Sequence, residues 1–321
     1  MRVRVPATSA NLGPGFDTLA LALTLYDEVE AWLSPSGLSV EISGEGADLA
    51  GAGEDHLVVR AMRAAFAVSG GQPPGLGIRC ENAIPHGRGL GSSAAAIVSG
   101  VLAARALARR GTDALPDEAA FELAADLEGH TDNVAACLGG GLTIAWAVEG
   151  HPRMTRLEPL ASITPVVCVA PAPVRTDVAR AVLPDRVPHR DAAANAGRSA
   201  LLVAVLTGQA RPALACPADD AGVLLDATRD RLHQDYRAVA MPHTHALVER
   251  LRAAGIAAVV SGAGPSVLAL LLGARGGSDY RHHLDSLGSI VRETGNAWHI
   301  SSLDVERQGA RVLRLKPPPG R

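Results

Sequence analysis

The chain of 321 residues is almost without lysine: Lys316, near its C-terminal end, is the only one, although lysine and arginine together number 30. This excludes phosphate sites built around a lysine ammonium and leaves backbone amides, hydroxyls, arginines and metal ions to hold anions. An arginine bias of this kind reads as GC-rich codon usage. Aromatic residues make up 3% of the chain, too few for the stacking platforms that single-stranded nucleic acids need. Neither sign of charge dominates, and a formal net charge of -3 gives no basic footprint for nucleic acid or another polyanion. The four cysteines, Cys80, Cys137, Cys168 and Cys216, stand far apart with no paired metal spacing. In apolar surroundings they are expected to be buried, reduced thiols. Long apolar runs are missing too. Met1–Pro6 enters a polar segment rather than a signal core, and the run Ile256–Leu272 is broken by Ser261, Gly262, Gly264 and Pro265. The expectation is a cytoplasmic protein that binds neither nucleic acid nor membrane.

What is present is a globular composition, 47% apolar and 20% charged, in a chain long enough for two domains. A strand around Arg2–Pro6 is expected to lead into a loop at Ala7–Asp17, followed by sheet at Leu19–Trp32 and a surface loop at Gly44–Asp55. Leu57–Val68 has helical periodicity, Leu76–Glu81 reads as a strand, and a helix is expected over Pro116–Leu127. A strand at Leu142–Val148 runs to a polar break at Glu149–Arg153, where a domain boundary is expected. Beyond it lie an expected strand Thr164–Ala170 and helices near Ala194–Thr207, Asp219–His233 and Thr244–Ala254. Strands Ile256–Val260 and Ser266–Leu271, a helix Ser278–Thr294 and closing strands Ala297–Leu303 and Arg311–Leu315 finish the pattern. Strand–helix alternation with antiparallel closing strands predicts an α+β fold.

The most informative segment is Ile84-Pro85-His86-Gly87-Arg88-Gly89-Leu90-Gly91-Ser92-Ser93-Ala94-Ala95. Alternate glycines allow positive φ and close backbone approach, and the first amides of a helix are unpaired and carry its positive dipole end. Ile97, Val98, Val101, Leu102 and Leu107 repeat at helical spacing after the loop, with Gly111 suited to a stop. Loop and helix together make an anion cradle, best suited to phosphate. The dinucleotide fingerprint is excluded because Ser92 stands where its third glycine belongs, and the Walker A loop because Gly91 stands where its lysine belongs.

Pro85 to Ala94 resembles, at every place, the Pro-x-x-x-Gly-Leu-Gly-Ser-Ser-Ala phosphate loop of the GHMP kinase superfamily. Pro6-Ala7-Thr8-Ser9-Ala10-Asn11-Leu12-Gly13-Pro14-Gly15-Phe16-Asp17 is similar to the N-terminal motif of its homoserine kinase branch. So is Glu128-Gly129-His130-Thr131-Asp132-Asn133, apart from Thr131, where family members commonly carry proline. Val260-Ser261-Gly262-Ala263-Gly264-Pro265-Ser266 resembles the superfamily's C-terminal glycine motif. The resemblance covers nearly the whole chain, in order.

The resemblance implies a GHMP kinase-like two-domain α+β fold. A ribosomal-protein-S5-like ATP-binding domain would span 1–152 and a ferredoxin-like domain 153–316, and the run Pro317-Pro318-Pro319 itself reads as a disordered tail over 317–321. It implies ATP and Mg2+ as cofactors, homoserine as the small-molecule substrate, and a homodimer. ATP would lie on Pro85, His86, Gly87, Arg88, Gly89, Leu90, Gly91, Ser92, Ser93, Ala94 and Ala95, with the adenine near His56–Val59. Ser93 and Glu128 would ligate the metal. Asp17, supported by Asn11, would take the substrate ammonium, and Arg180 and Arg237 its carboxylate. Gly262 and Gly264 would close over the site. His130 and Asn133 would orient the hydroxyl, and Asp132 stands where mevalonate kinases use a catalytic aspartate. Whether Asp132 acts as a base or Asn133 alone polarises the hydroxyl stays open, because a loose transition state needs little early deprotonation. The alternatives are another GHMP small-molecule kinase, of the mevalonate, diphosphocytidyl-erythritol or shikimate class, and a catalytically silent ligand sensor of the same fold.

Overall fold

The computed structural model describes residues 1–210, 219–273 and 275–313. Cys216, Lys316 and the expected tail 317–321 lie outside the described residues. The first half runs β1 (Arg2–Ala10), β2 (Leu19–Ser34), β3 (Gly37–Gly44), α1 (Leu57–Val68), β4 (Gly75–Asn82), α2 (Ser92–Leu107), α3 (Gly111–Ala114), α4 (Asp117–Glu128), α5 (Asp132–Gly139), β5 (Leu142–Val148) and β6 (His151–Leu157). The second half runs β7 (Ile163–Val169), α6 (Thr176–Ala181), α7 (His189–Leu206), α8 (Asp220–Ala227), α9 (Gln234–Arg237), α10 (Pro242–Ala253), β8 (Ala257–Val260), β9 (Val267–Leu272), α11 (Ser278–Glu293), β10 (His299–Ser302) and β11 (Arg311–Leu313).

Two sheets organise these elements. The first has the order β11-β1-β2-β4-β3, with β5 leaving sideways from the start of β2 and β6 pairing on β5. The second has the order β10-β7-β9-β8. In chain order its strands sit 4-1-3-2 with helices between the first and second and between the third and fourth, the ferredoxin-like arrangement. The α+β expectation therefore holds. The two sheets share a core, because Val167, Leu202, Leu206, Val259 and Leu268 of the second sheet and its helices cluster with Leu21, Ile97 and Val98 of the first, while Val166, Val260, Leu247 and Leu287 form a separate cluster on the other face of the second sheet. Helix α2 is buried on nearly every side, which its run of alanines permits. A side chain on Gly100 would come within 2.6 Å of the Val58 carbonyl, so a glycine there sets the close approach of α1.

Several expected boundaries move. β1 continues through Thr8 and Ser9 to Ala10, against an expected loop from Ala7, because these small residues pair with Leu21 and Ala22 and are fully buried. β3 was not expected, although Leu38, Val40 and Ile42 alternate along it at period two. α2 ends at Leu107, and Gly111 opens α3 instead of closing α2. The boundary expected at 152/153 falls inside β6, whose pairing with β5 keeps it in the first sheet. The chain enters the second sheet only at Ile163 and returns to the first through β11, which pairs with β1. The helix expected over Asp219–His233 is broken after Ala227. The Thr228 hydroxyl bonds back to the Leu224 carbonyl, and the Asp230 carboxylate accepts the amides of Leu232, His233 and Gln234 and starts a separate turn. That break matters, because the turn carries Arg237.

Candidate active site

The phosphate loop is the short crossing from β4 to α2. Gly87, Gly89 and Gly91 have φ of +65, +71 and +70, and Gly91 is the left-handed N-cap of α2. Two of these glycines are enforced by close neighbours: a Cβ on Gly89 would strike the Ser261 carbonyl, and one on Gly91 the Thr8 hydroxyl. The loop is clamped from both sheets. The Thr8 amide donates to the Leu90 carbonyl at 3.0 Å and the Val174 amide to the Gly87 carbonyl at 3.0 Å. The Ser261 hydroxyl donates to the Gly89 carbonyl at 2.7 Å. The first amides of α2 therefore face outward in a rigid frame.

Beside the loop opens a cavity of about 200 Å³ lined by Gly87, Gly89, Gly91, Ser92, Ser93, Glu128, His130, Asp132, Asn133, Asn11, Asp17, Arg180, Arg237, Gly262 and Gly264, together with Ala10, Val174, Thr176 and Ala263. At its phosphate end the Ser93 hydroxyl donates to Glu128 Oε1 at 2.6 Å. The Glu128 side chain is only 7% exposed, and His130 Nδ1 lies 3.8 Å from the same oxygen. The left-handed Gly129 ends α4 and the chain restarts as α5 at Asp132, which turns Glu128, His130, Asp132 and Asn133 toward one space.

Asp132 is buried and accepts the Asn133 amide at 2.7 Å. Burial pushes its carboxyl up to about 6; the Asp17 charge adds to this and the Asn133 amide opposes it. The Thr8 hydroxyl donates to Asn133 Oδ1 at 2.7 Å. With its oxygen so held, the Asn133 amide has its nitrogen left as a donor.

At the opposite end Arg180 grips Asp17 through two nitrogens, at 2.6 and 3.2 Å. Arg237 is 1% exposed, and burial followed by the Arg180 charge lowers its pKa to about 10. Asn11 donates to the Gly262 carbonyl at 2.8 Å and accepts the Asp17 amide at 2.9 Å. A second, more apolar cavity of about 350 Å³ adjoins the loop and shares Ser92 and Ser93 with the first. His56, Leu57, Val58, Asn82 and His86 are among its walls. His56 Nδ1 is buried there without a partner among the described residues, and burial, then His86, lowers the pKa of its ring.

Comparison with known proteins follows the same frame. The model of the GHMP kinases N terminal domain matches residues 56–141, and that of the GHMP kinases C terminal matches residues 214–297. A homoserine kinase of Streptomyces coelicolor is 53% identical over 98% of this chain and 95% of its own length. The chain belongs to the homoserine kinases of the GHMP kinase family. A homoserine kinase of Streptomyces avermitilis is 54% identical over 98% of this chain and 96% of its own length. The crystal structure of homoserine kinase from Cytophaga hutchinsonii, at 26% identity, superposes with a TM-score of 0.78 over 98% of this chain and 97% of that one. The ATP use of a kinase family thus belongs to this chain.

Not every residue of a family motif faces the cavity. Leu90, Ala94 and Ala95 are 0–1% exposed and packed in the core. Arg88 spends all three guanidinium nitrogens on the carbonyls of Ala170, His86 and Pro171, so it staples the loop to the end of β7 instead of facing the cavity. His86 lines the second cavity, and Pro85 lines neither. Asn11, expected to support an ammonium, has both ends of its side chain committed to backbone. Four residues that reading by motif did not single out are Thr8, which holds Asn133, Val174 and Thr176 on the cavity wall, and His233 behind Arg237. Thr8 stands inside a quoted segment and Val174, Thr176 and His233 outside all of them, and nothing in one dimension says which way any of the four points. Among the described residues, Cys80, Cys137 and Cys168 are buried free thiols, as expected, and no helix is long and apolar enough to cross a membrane.

Proposed function

We propose that this chain transfers the terminal phosphoryl group of ATP to the side-chain hydroxyl of L-homoserine, giving O-phospho-L-homoserine and ADP on the route to threonine. The observation that carries the reading is the pairing of a phosphate cradle at Gly87–Ser93 with Asp17, Arg180 and Arg237 in one cavity. A zwitterionic acceptor needs one anion and one or two arginines at one end and its hydroxyl at the other, and this cavity offers that order. The adenine lies in the apolar cavity walled by His56, Leu57 and Val58, and the phosphates cross the shared Ser92–Ser93 rim.

Ser93 and Glu128 fit a magnesium ion. They are two oxygen donors in contact at the phosphate end, and Mg2+ takes oxygen ligands while drawing the rest from phosphate and water. When bound it supplies charge neutralisation on the phosphate oxygens. The chain's own groups do the remainder. Amides of Gly87, Gly89, Gly91 and Ser92 fix the phosphates in line with the acceptor, and positioning of this kind is the main source of rate in phosphoryl transfer. Asn133, its oxygen held by Thr8, donates from its amide nitrogen to the acceptor hydroxyl. Asp132, ionised at neutral pH, takes the proton that the hydroxyl releases. The two sheets act as two domains, with the acceptor held at their seam. The deciding experiment is ADP release by folded protein with magnesium, run in parallel with homoserine, mevalonate and shikimate. Homoserine-dependent release alone is expected; none with homoserine overturns the reading.

A further inference from the structure

We propose that His233 is the positioning residue that registers Arg237 against the Asn11–Asp17 loop and so sets affinity for the amino-acid acceptor. The inference rests on the reading of Arg237 as a carboxylate ligand.

His233 is 0% exposed, and its two ring nitrogens face different elements. Nε2 lies 2.8 Å from the Gly13 carbonyl. A carbonyl only accepts, so Nε2 carries the ring hydrogen and Nδ1 keeps a lone pair. Nδ1 is 3.1 Å from Arg237 Nη1, which donates to it. One neutral imidazole therefore bridges the substrate loop and the arginine. Burial holds the ring's pKa down, against the nearby Asp230 carboxylate, which would raise it. The neutral form is the one this bridge requires.

Two further hydrogen bonds hold the guanidinium. Arg237 Nε donates to the Ala179 carbonyl at 3.1 Å, and Nη1 also donates to the Gly262 carbonyl at 3.2 Å. Nη2 is left for the cavity. Phe16 stacks on His233 with ring centroids 5.1 Å apart and lies under Arg237 at 5.4 Å. The Asp230 carboxylate takes the His233 amide at 2.9 Å, which fixes the start of α9. Arg237 thus has no freedom to search for a ligand, and its aim is inherited from His233. Arg180, on the short helix α6, is more exposed and is hydrogen-bonded, among the described residues, to Asp17 alone.

Three substitutions separate the two arms of the bridge. His233→Phe keeps the ring stack and loses both hydrogen bonds. His233→Asn keeps an acceptor near the Nδ1 position, and His233→Gln keeps a donor near the Nε2 position. His233→Phe is expected to raise the KM for homoserine about 10- to 100-fold while the KM for ATP stays within about twofold. His233→Asn should recover most of the loss and His233→Gln less. An unchanged homoserine KM, or equal rises in both KM values, overturns the proposal. The ring nitrogens of the wild-type protein give a second reading through 15N NMR, assigned with the His233→Asn variant. The Nε2–H tautomer at neutral pH is expected; an imidazolium or the Nδ1–H tautomer overturns the proposal. This signal needs no turnover, so it stands or falls apart from the choice of homoserine as acceptor.

Discussion

Asp17 and Arg180 neutralise each other across the acceptor cavity, through nitrogen–oxygen contacts of 2.6 and 3.2 Å. Their side chains are 40% and 35% exposed, so the pair can be opened at modest cost. In the proposed site a zwitterion would replace the pair with two new ones, its ammonium on Asp17 and its carboxylate on Arg180. A ligand with a carboxylate alone would take Arg180 and strand Asp17. The pair would therefore disfavour acceptors that lack an ammonium. We predict that 4-hydroxybutyrate, homoserine without its amino group, is phosphorylated with a kcat/KM lower by at least about 100-fold. Asp17→Asn should raise the KM for homoserine and narrow that ratio. An unchanged ratio in the variant would count against the exchange.

Ser93→Ala and Glu128→Gln should both raise the magnesium concentration needed for half-maximal rate and lower kcat, by about 10- to 1,000-fold. The check is a titration of free Mg2+ at saturating ATP. Because the two residues touch, their effects should be strongly non-additive in the double variant. Full additivity would mean that they act at different places.

Asp132 gives a pH signature. Its carboxyl is raised from 3.8 to about 6 by burial. Only the ionised form accepts a proton, so kcat/KM should fall about tenfold per pH unit below that point. Asp132→Asn should remove this limb with most of the rate. Should Asn133→Ala abolish turnover while Asp132→Ala keeps it, the proton acceptor lies elsewhere. The stability effect has the opposite sense. A raised carboxyl binds its proton more tightly in the folded state, so stability is fully present below the unfolded pKa and falls as pH rises through about 6. Asp132→Asn is accordingly expected to keep or raise the thermal midpoint at neutral pH.

His56 tests the base cavity. Its buried Nδ1 has no partner among the described residues, which is costly unless a ligand supplies one. His56→Ala should raise the KM for ATP about tenfold, leave that for homoserine unchanged, and weaken the preference for ATP over GTP. Initial-rate measurements with each nucleotide check this.

Much of the site was legible from the chain, and the reason is local. The crossing Gly87–Ser93 is a strand–loop–helix unit whose glycines and helix start act over one turn of backbone, so its role shows in twelve consecutive residues. Glu128 to Asn133 were legible from the residues only as a helix end, and the resemblance supplied their roles in the site. The reading failed where orientation depends on partners far along the chain. Arg88 looked like an anion ligand until the carbonyls of Ala170 and Pro171, 82 and 83 positions away, were seen to claim it. Asn11 looked free until Gly262, 251 positions away, took its amide. The helix over Asp219–His233 failed because the Asp230 carboxylate satisfies the backbone amides that follow it, a side-chain capture that apolar periodicity does not report.

The sequence by itself determined the α+β class and a loop at a helix start suited to phosphate, whereas Ser93 and Glu128 as metal ligands and homoserine as acceptor came from the family resemblance of its motifs. The first two rest on strand–helix alternation, backbone freedom and a helix start within short segments. Tertiary structure alone decided that Asp17 and Arg180, 163 positions apart, hold each other. It also decided that Thr8 turns Asn133 and that His233 aims Arg237. A hydrogen bond depends on distances of a few tenths of an ångström and on which lone pair is free. Those are fixed only when β1, α5, α6 and the turn before α10 close on one another.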